Sequence, residues 1–198
     1  MKFTEETGLT AEPTQQILLG TLYNFKVVEL LLFGTGPGGI PMKRLPDSDA
    51  TLFVRTHFDD PDAWQAICNE IRQSPDDDVA AFAEFAAINA MLGQDVGEGP
   101  EANLTIVDDP AFADLTPDQL IERLPAGSQQ TFVFIVDRET VAKPDHPILV
   151  LDLAEQKGRT FRSVPAQIQA IENNLSIANM DFADFADAVD SEGVFRGF

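Results

Sequence analysis

The chain has 198 residues and sets 33 acidic side chains against 13 basic ones, a net charge of −20. A chain of this length can bury roughly 70% of its unfolded surface, so with 44% apolar residues it needs neither disulfides nor a structural metal to fold. Its single cysteine, Cys68, excludes an internal disulfide and a cysteine-based zinc site and suits a reducing compartment, while the acidic field repels nucleic-acid phosphates and anionic lipid.

Residues 1–49 read as an N-terminal extension and Gly/Pro-rich linker. The opening MKFTEETGLTAEP lacks the basic-then-apolar order of a signal peptide. Residues 17–33 are apolar but interrupted by Asn24, Lys26 and Glu29, and they are short for a membrane span. A cytoplasmic protein is expected, with no membrane partner. Residues 13–33 form either a helix or a hairpin; as a helix they could assemble the chain into a homo-oligomer. Residues 34–49, GTGPGGIPMKRLPDSD, have the glycines and prolines of a linker or long loop. Gly34-Thr35-Gly36-Pro37-Gly38-Gly39 matches the dinucleotide pattern G-x-G-x-x-G. That chemistry requires the last glycine to open a helix facing the pyrophosphate. Pro41 and Pro46 follow instead, so no nucleotide cofactor is expected.

An acidic α/β domain is expected over residues 51–198, which hold a net of −18 against −2 for residues 1–50. TLFVRT at 51–56 has the β-formers of a strand. Asp60 can cap a helix whose first residue is Pro61, with Trp64, Ile67, Cys68 and Ile71 on one face. SPDDD at 74–78 breaks it. Alanine-rich residues 79–92 predict a second helix and 93–101 a loop. NLTIV at 103–107 is a strand, and Asp108-Asp109-Pro110 follows it much as Asp59-Asp60-Pro61 follows the first. Thr116-Pro117-Asp118-Gln119 has the capping-box pattern and predicts a short helix to residue 124. TFVFIV at 131–136 is an unbroken apolar run suited to a central strand covered on both faces. Strands at 147–153 and 159–164 flank a turn at 155–158. Pro165 starts a helix through Ala166, Ile168, Ile171 and Leu175. Asp181 caps a last helix, DFADFADAVD, with Phe182, Phe185, Ala186 and Val189 buried and Gly193 ending it. Arg196 between Phe195 and Phe198 suggests a tail docked on the body.

The fold class is therefore α/β, with a mixed α+β arrangement as the alternative: a mixed sheet of about five strands flanked by helices. Early strands that alternate with helices predict parallel pairing, and the late hairpin adds antiparallel strands.

Two sets of carboxylates stand out. Asp59, Asp60, Asp108 and Asp109 lie just beyond strand ends that a parallel sheet gathers at one edge, together with Asp137 and with Asp152 unless its strand is antiparallel. Such ends are where α/β proteins tend to bind ligands, and clustered carboxylates suit Mg²⁺ or Ca²⁺. A metal-assisted hydrolase or phosphoryl-transfer site is one reading; plain helix capping by Asp60 and Asp109 is the other. Asp181, Asp184, Asp187 and Asp190 recur every three residues, with Glu192 following, as an acidic stripe that could meet a partner or simply face solvent. His57 and His146 have no neighbouring nucleophile, and no G-x-S-x-G is present. Cys68, on an apolar helix face, reads as structural. Arg55 and Arg162, inside strands, are expected to pair with carboxylates.

The stretch IENNLSIANMDFADFADAVDSEGVFRGF at 171–198 resembles the C-terminal signature of a family of small bacterial proteins built on a domain of unknown function. TLFVRTHFDDPDAW, VDDPAFADLTPDQL and FVFIVDRETVAKPDHPILVLDL resemble the same family, over roughly residues 50–198. The resemblance implies a bacterial origin and a shared fold, and it carries no catalytic residue. The expected function is a non-enzymatic binding or regulatory protein, inhibitor- or immunity-like, that recognises a basic protein through its acidic surface. The alternatives are the metal-dependent enzyme and a structural subunit assembled through residues 13–33.

Overall fold

The computed structural model describes residues 33–35, 41–72, 84, 87–93 and 102–198. The expected helix or hairpin at 13–33 lies almost wholly outside these residues. A short antiparallel pair comes first, β1 (Phe33–Thr35) with β2 (Pro41–Lys43). It falls partly in the stretch expected as a linker or loop. The chain after it is anchored: Leu45 is buried and its N–H donates to the Arg123 carbonyl at 2.8 Å, and the Ser48 hydroxyl lies 2.7 Å from that of Thr105. Gln130 adds a bond to the Ser48 carbonyl at 2.7 Å and Arg44 one to that of Leu124 at 2.9 Å, so a buried leucine and a few polar contacts tie the segment to the sheet.

The main sheet has six strands in the order β4 (Leu104–Val107), β3 (Thr51–Arg55), β5 (Phe132–Val136), β6 (Ile148–Asp152), β7 (Thr160–Ser163) and β8 (Val194–Phe195). β3 pairs in parallel with both β4 and β5, whereas β5–β6 and β6–β7 are antiparallel, as the order of elements predicts. The sixth strand is β8, which joins β7 in parallel. Two residues are too few for a period-2 pattern, so the sequence predicts a docked tail and no strand there.

All five residues of β3 and of β5 are buried. Alternation sends their side chains to two separate cores. Phe53, Phe134 and Val136 face one layer with Trp64, Ile67, Phe161, Ile171, Phe182 and Phe185. Leu52, Val54, Val133 and Ile135 face the other with Leu45, Phe112 and Leu120. The register matches Phe53 to Phe134 and Val54 to Ile135, so like faces meet like. Phe53 and Phe134 stack at a tilt with centroids 6.1 Å apart.

The helices follow their caps. α1 (Pro61–Glu70) opens with the Asp60 carboxylate accepting from the Ala63 N–H and with Pro61 first. Residues 87–91 are helical, with Ile88, Met91 and Leu92 exposed; the rest of the helix expected at 79–92 is outside the described residues apart from residue 84. α2 (Pro117–Arg123) carries the full Thr116/Gln119 capping box. α3 (Arg138–Ala142) is too short, at five residues, to show periodicity in the sequence; an Asp137/Thr140 capping box holds it. A 3₁₀ turn (Pro165–Gln167) leads into α4 (Ile168–Ser176). α5 runs only from Phe182 to Ala186, which corrects the longer helix expected through Asp190. Asp187 and Asp190 leave the helix for other partners, and Gly193, at φ 76°, turns the chain into β8 instead of ending a helix.

Candidate functional site

The parallel strands bring the segments after β3, β4 and β5 to one edge of the sheet, and the carboxylates there are held individually. Asp60 caps α1. Asp109 caps a 3₁₀ turn (Pro110–Phe112) through the Ala111 N–H and is also bound by the Lys43 ammonium. Burial pushes the Asp109 carboxyl up, but Lys43 and the Ala111 N–H outweigh it and bring it below the usual carboxylate range. Asp108 pairs with the buried Arg55 at 3.2 Å. The Arg55 guanidinium also donates to the His57 carbonyl at 3.0 Å and lies 4.5 Å from the Phe58 ring centre and 5.0 Å from that of Trp64. The same Asp-Asp-Pro triplet thus caps a ten-residue α-helix in one place and a single 3₁₀ turn in the other. Asp59 lies 3.7 Å from His57 Nε2, and Asp114 lies 3.9 Å from Nδ1 on the other side of the ring. A neutral imidazole could donate to only one of these carboxylates.

Asp137 closes this edge. Its two oxygens accept from Arg162 at 3.1 and 2.7 Å, and one also accepts from the Thr140 N–H at 2.9 Å. Glu139 adds a second ion pair to Arg162 at 2.8 Å. Burial raises the Asp137 carboxyl, and the stronger pull of Arg162 and Thr140 leaves it below its ordinary value. An open cleft of about 390 Å³ lies here, lined by Thr56, Asp114, Asp137, Arg138 and Glu139 among others. Among the described residues no group of three His, Cys, Asp or Glu side chains is placed to hold a metal ion. The four aspartates considered for Mg²⁺ or Ca²⁺ share an edge and are spread along it, each toward its own partner.

The acidic stripe is also divided. Asp181 and Asp184 frame the start of α5, where the Asp184 carboxylate accepts from the Asp181 N–H at 2.9 Å. Both are exposed, and neither meets a cation among the described residues. Asp187 is bound to Arg159. Asp190 takes the Arg196 Nε at 2.7 Å and the Val194 and Glu192 N–H groups, so it shapes the turn into β8. Hydrogen bonds from Arg196 and from Val194 hold its carboxyl below the usual range. Glu192 reaches the same Arg196 at 3.4 Å.

At the opposite edge, antiparallel β6 places Asp152 beside the start of β5, across from Phe132. Asp152 is 1% exposed, and its carboxylate accepts the Ala154 and Gln156 N–H groups, each at 2.7 Å. It forms part of a small cavity of about 140 Å³ walled by Phe132, Leu175, Met180 and Phe182. Exposed Glu155 and Asp181 also line it. Glu172 lies on this side too, accepting the Thr51 hydroxyl at 3.3 Å and the Asn103 N–H at 3.2 Å, and burial raises its carboxyl. Sequence reasoning missed this cavity because Ala178 adopts φ 53°, a left-handed turn that a non-glycine residue does not advertise.

Cys68 is buried, and burial pushes its thiol up to about 11, which suits a structural role. His146 lies 3.2 Å from Glu70. Among the described residues no helix is long and apolar enough to cross a membrane.

The fold and its edges define an acidic α/β domain with a mixed six-stranded sheet, with Asp108, Asp109 and Asp137 braced by cations at one edge and Asp152 buried without one at the other. Residues 50–198 match the family model of a domain of unknown function, DUF6924, and the chain belongs to that family. No curated protein matches the chain.

Proposed function

We propose that the protein is a non-enzymatic binding or regulatory module, inhibitor- or immunity-like, that recognises a basic protein partner in a bacterial cytoplasm. One observation carries this reading. Arg55, Arg162, Arg159, Arg196 and Lys43 are occupied by carboxylates of the same chain, while exposed Asp181, Asp184, Asp62 and Asp118 face no cation among the described residues. The surplus charge is therefore outward and available, and charge complementarity of this kind speeds encounter with a basic surface. The enzymatic alternative would require Asp59, Asp60, Asp108 and Asp109 to leave their present neighbours and converge on an Mg²⁺ or Ca²⁺ ion, which makes it the weaker reading. Assembly through residues 13–33 is a separate question about a segment outside the described residues.

The test is capture of partners from a bacterial lysate by the wild type and by an Asp181→Asn/Asp184→Asn variant, at low and high salt. The expected result is a stoichiometric basic protein, held at low salt, released at high salt and lost in the variant. Equal capture by both forms, or none by either, would refute the reading.

A further inference from the structure

The small cavity beside Asp152 has an unusual combination of walls and charge. Phe132 and Phe182 are buried, and Leu175 and Met180 half-buried, so its sides are apolar. At about 140 Å³ it is well below the roughly 300–1,000 Å³ of small-molecule sites, and its size suits one side chain. Three carboxylates line it: Asp152, almost fully buried, and Glu155 and Asp181, both exposed. None of the three is in an ion pair among the described residues. Lys157 shares the turn with Glu155 but does not line the cavity.

A buried carboxylate is costly unless its charge is met. Asp152 has two backbone N–H donors and no cation. Each of its oxygens keeps a lone pair after accepting one N–H. At about 140 Å³ the cavity is small for a wide planar guanidinium and better matched to a compact ammonium, which needs no flat bidentate face. An unbranched aliphatic stem fits apolar walls, as long basic side chains commonly bury theirs.

We infer that this cavity is a lysine-anchoring pocket: the aliphatic stem of a partner's lysine lies against Phe132, Leu175, Met180 and Phe182, and its ammonium meets the Asp152 carboxylate, with Glu155 and Asp181 drawing it in. The inference rests on the basic-partner reading above and gives that reading a location. Interfaces concentrate their energy in such filled pockets. Exposed Ile177, 74% accessible and next in the chain to the pocket residue Ala178, supplies apolar contact for residues flanking the lysine.

The test is a ¹⁵N-resolved NMR titration of the full chain with acetyl-Gly-Lys-Gly-amide, and with the norleucine and arginine versions, at low ionic strength. The expected result is shifts centred on the amides of Ala154, Glu155, Leu175, Ala178 and Asp181. The norleucine peptide should bind roughly tenfold more weakly, since a charge-assisted hydrogen bond is lost, and arginine more weakly than lysine. Ala154→Leu, at an exposed lining position, should abolish the shifts with an unchanged melting temperature, and Glu155→Gln/Asp181→Asn should weaken them. Salt-sensitive shifts confined to the Asp59–Asp62 edge and untouched by Ala154→Leu would overturn the pocket while leaving the acidic-binding reading in place. Equal binding of lysine and norleucine would overturn the ammonium's role. No binding of any peptide, together with no partner captured from lysate, would overturn both readings.

Discussion

The two edges of one sheet treat their carboxylates in opposite ways. Where the parallel strands end, Asp108, Asp109 and Asp137 each face a cation, and Asp109 and Asp137 sit below their ordinary pKa. At the other edge Asp152 and Glu172 are buried with only N–H and hydroxyl donors, and Glu172 is raised. The same residue chemistry therefore serves as internal brace in one place and as unspent charge in the other. What decides is whether an arginine or lysine from another element reaches it. In a chain with 33 acids and 13 bases, the position of the few cations sorts the acids by role.

Four substitutions break or sharpen this contrast. Phe134→Ala strikes the sheet beneath both edges. With Phe134 fully buried, the expected cost is about 4 kcal/mol by urea denaturation, and a loss under about 1 kcal/mol would mean the central strand is not packed as described.

Asp137→Asn strikes the braced edge alone. It leaves the part-buried Arg162 short of its bidentate partner, for an expected loss of about 2–3 kcal/mol at neutral pH. The wild type should approach the variant in acid. The Asp137 carboxyl titrates lower folded than unfolded, so below its unfolded value of about 3.9 the unfolded chain binds more protons. Its stabilisation is full above that value and is lost as pH falls through the folded one. An unchanged gap down to strong acid would remove Asp137 from the brace.

Asp60→Ala removes a cap from the same edge, and thermal melts should show about 1 kcal/mol lost. Glu172→Gln probes the other edge and should have the smallest effect, one visible in slope. Glu172 is raised in the fold, so between its unfolded value of about 4.3 and its folded value the native state binds more protons, and stability falls as pH rises through that window. The variant should lack this contribution. Identical pH slopes in the two proteins would show that Glu172 is not held as a buried acid.

Much of this was legible in the sequence because the signals are local. Asp60-Pro61 and Thr116-Pro117-Asp118-Gln119 announce their helices through side chains that satisfy nearby N–H groups, and TFVFIV announces a doubly covered strand. Arg55 and Arg162 were readable as internal partners because cations inside strands of an acidic domain need carboxylates. The illegible parts are those decided by distant residues. α3 and β8 are too short for periodicity to show. α5 stops early because Arg159 and Arg196, from elsewhere in the chain, claim Asp187 and Asp190. The pocket depends on an antiparallel return that carries Asp152 to the opposite edge and on a left-handed alanine, neither of which leaves a motif.

The sheet order also bears on how the chain assembles. β3 is the first strand of the main sheet in chain order yet lies between β4 and β5, pairing Leu52 with Thr105 and with Val133. Closing those separations costs more chain entropy than closing the shorter connections that link β5, β6 and β7. The antiparallel half is therefore expected to form the folding nucleus, with β3 threading into place later. Substitutions in β6 should then slow refolding, and those in β4 should mainly speed unfolding. The Asp108 and Asp109 braces, which depend on β3 and β4, would then form after the Asp137–Arg162 brace that spans the end of β5 and β7.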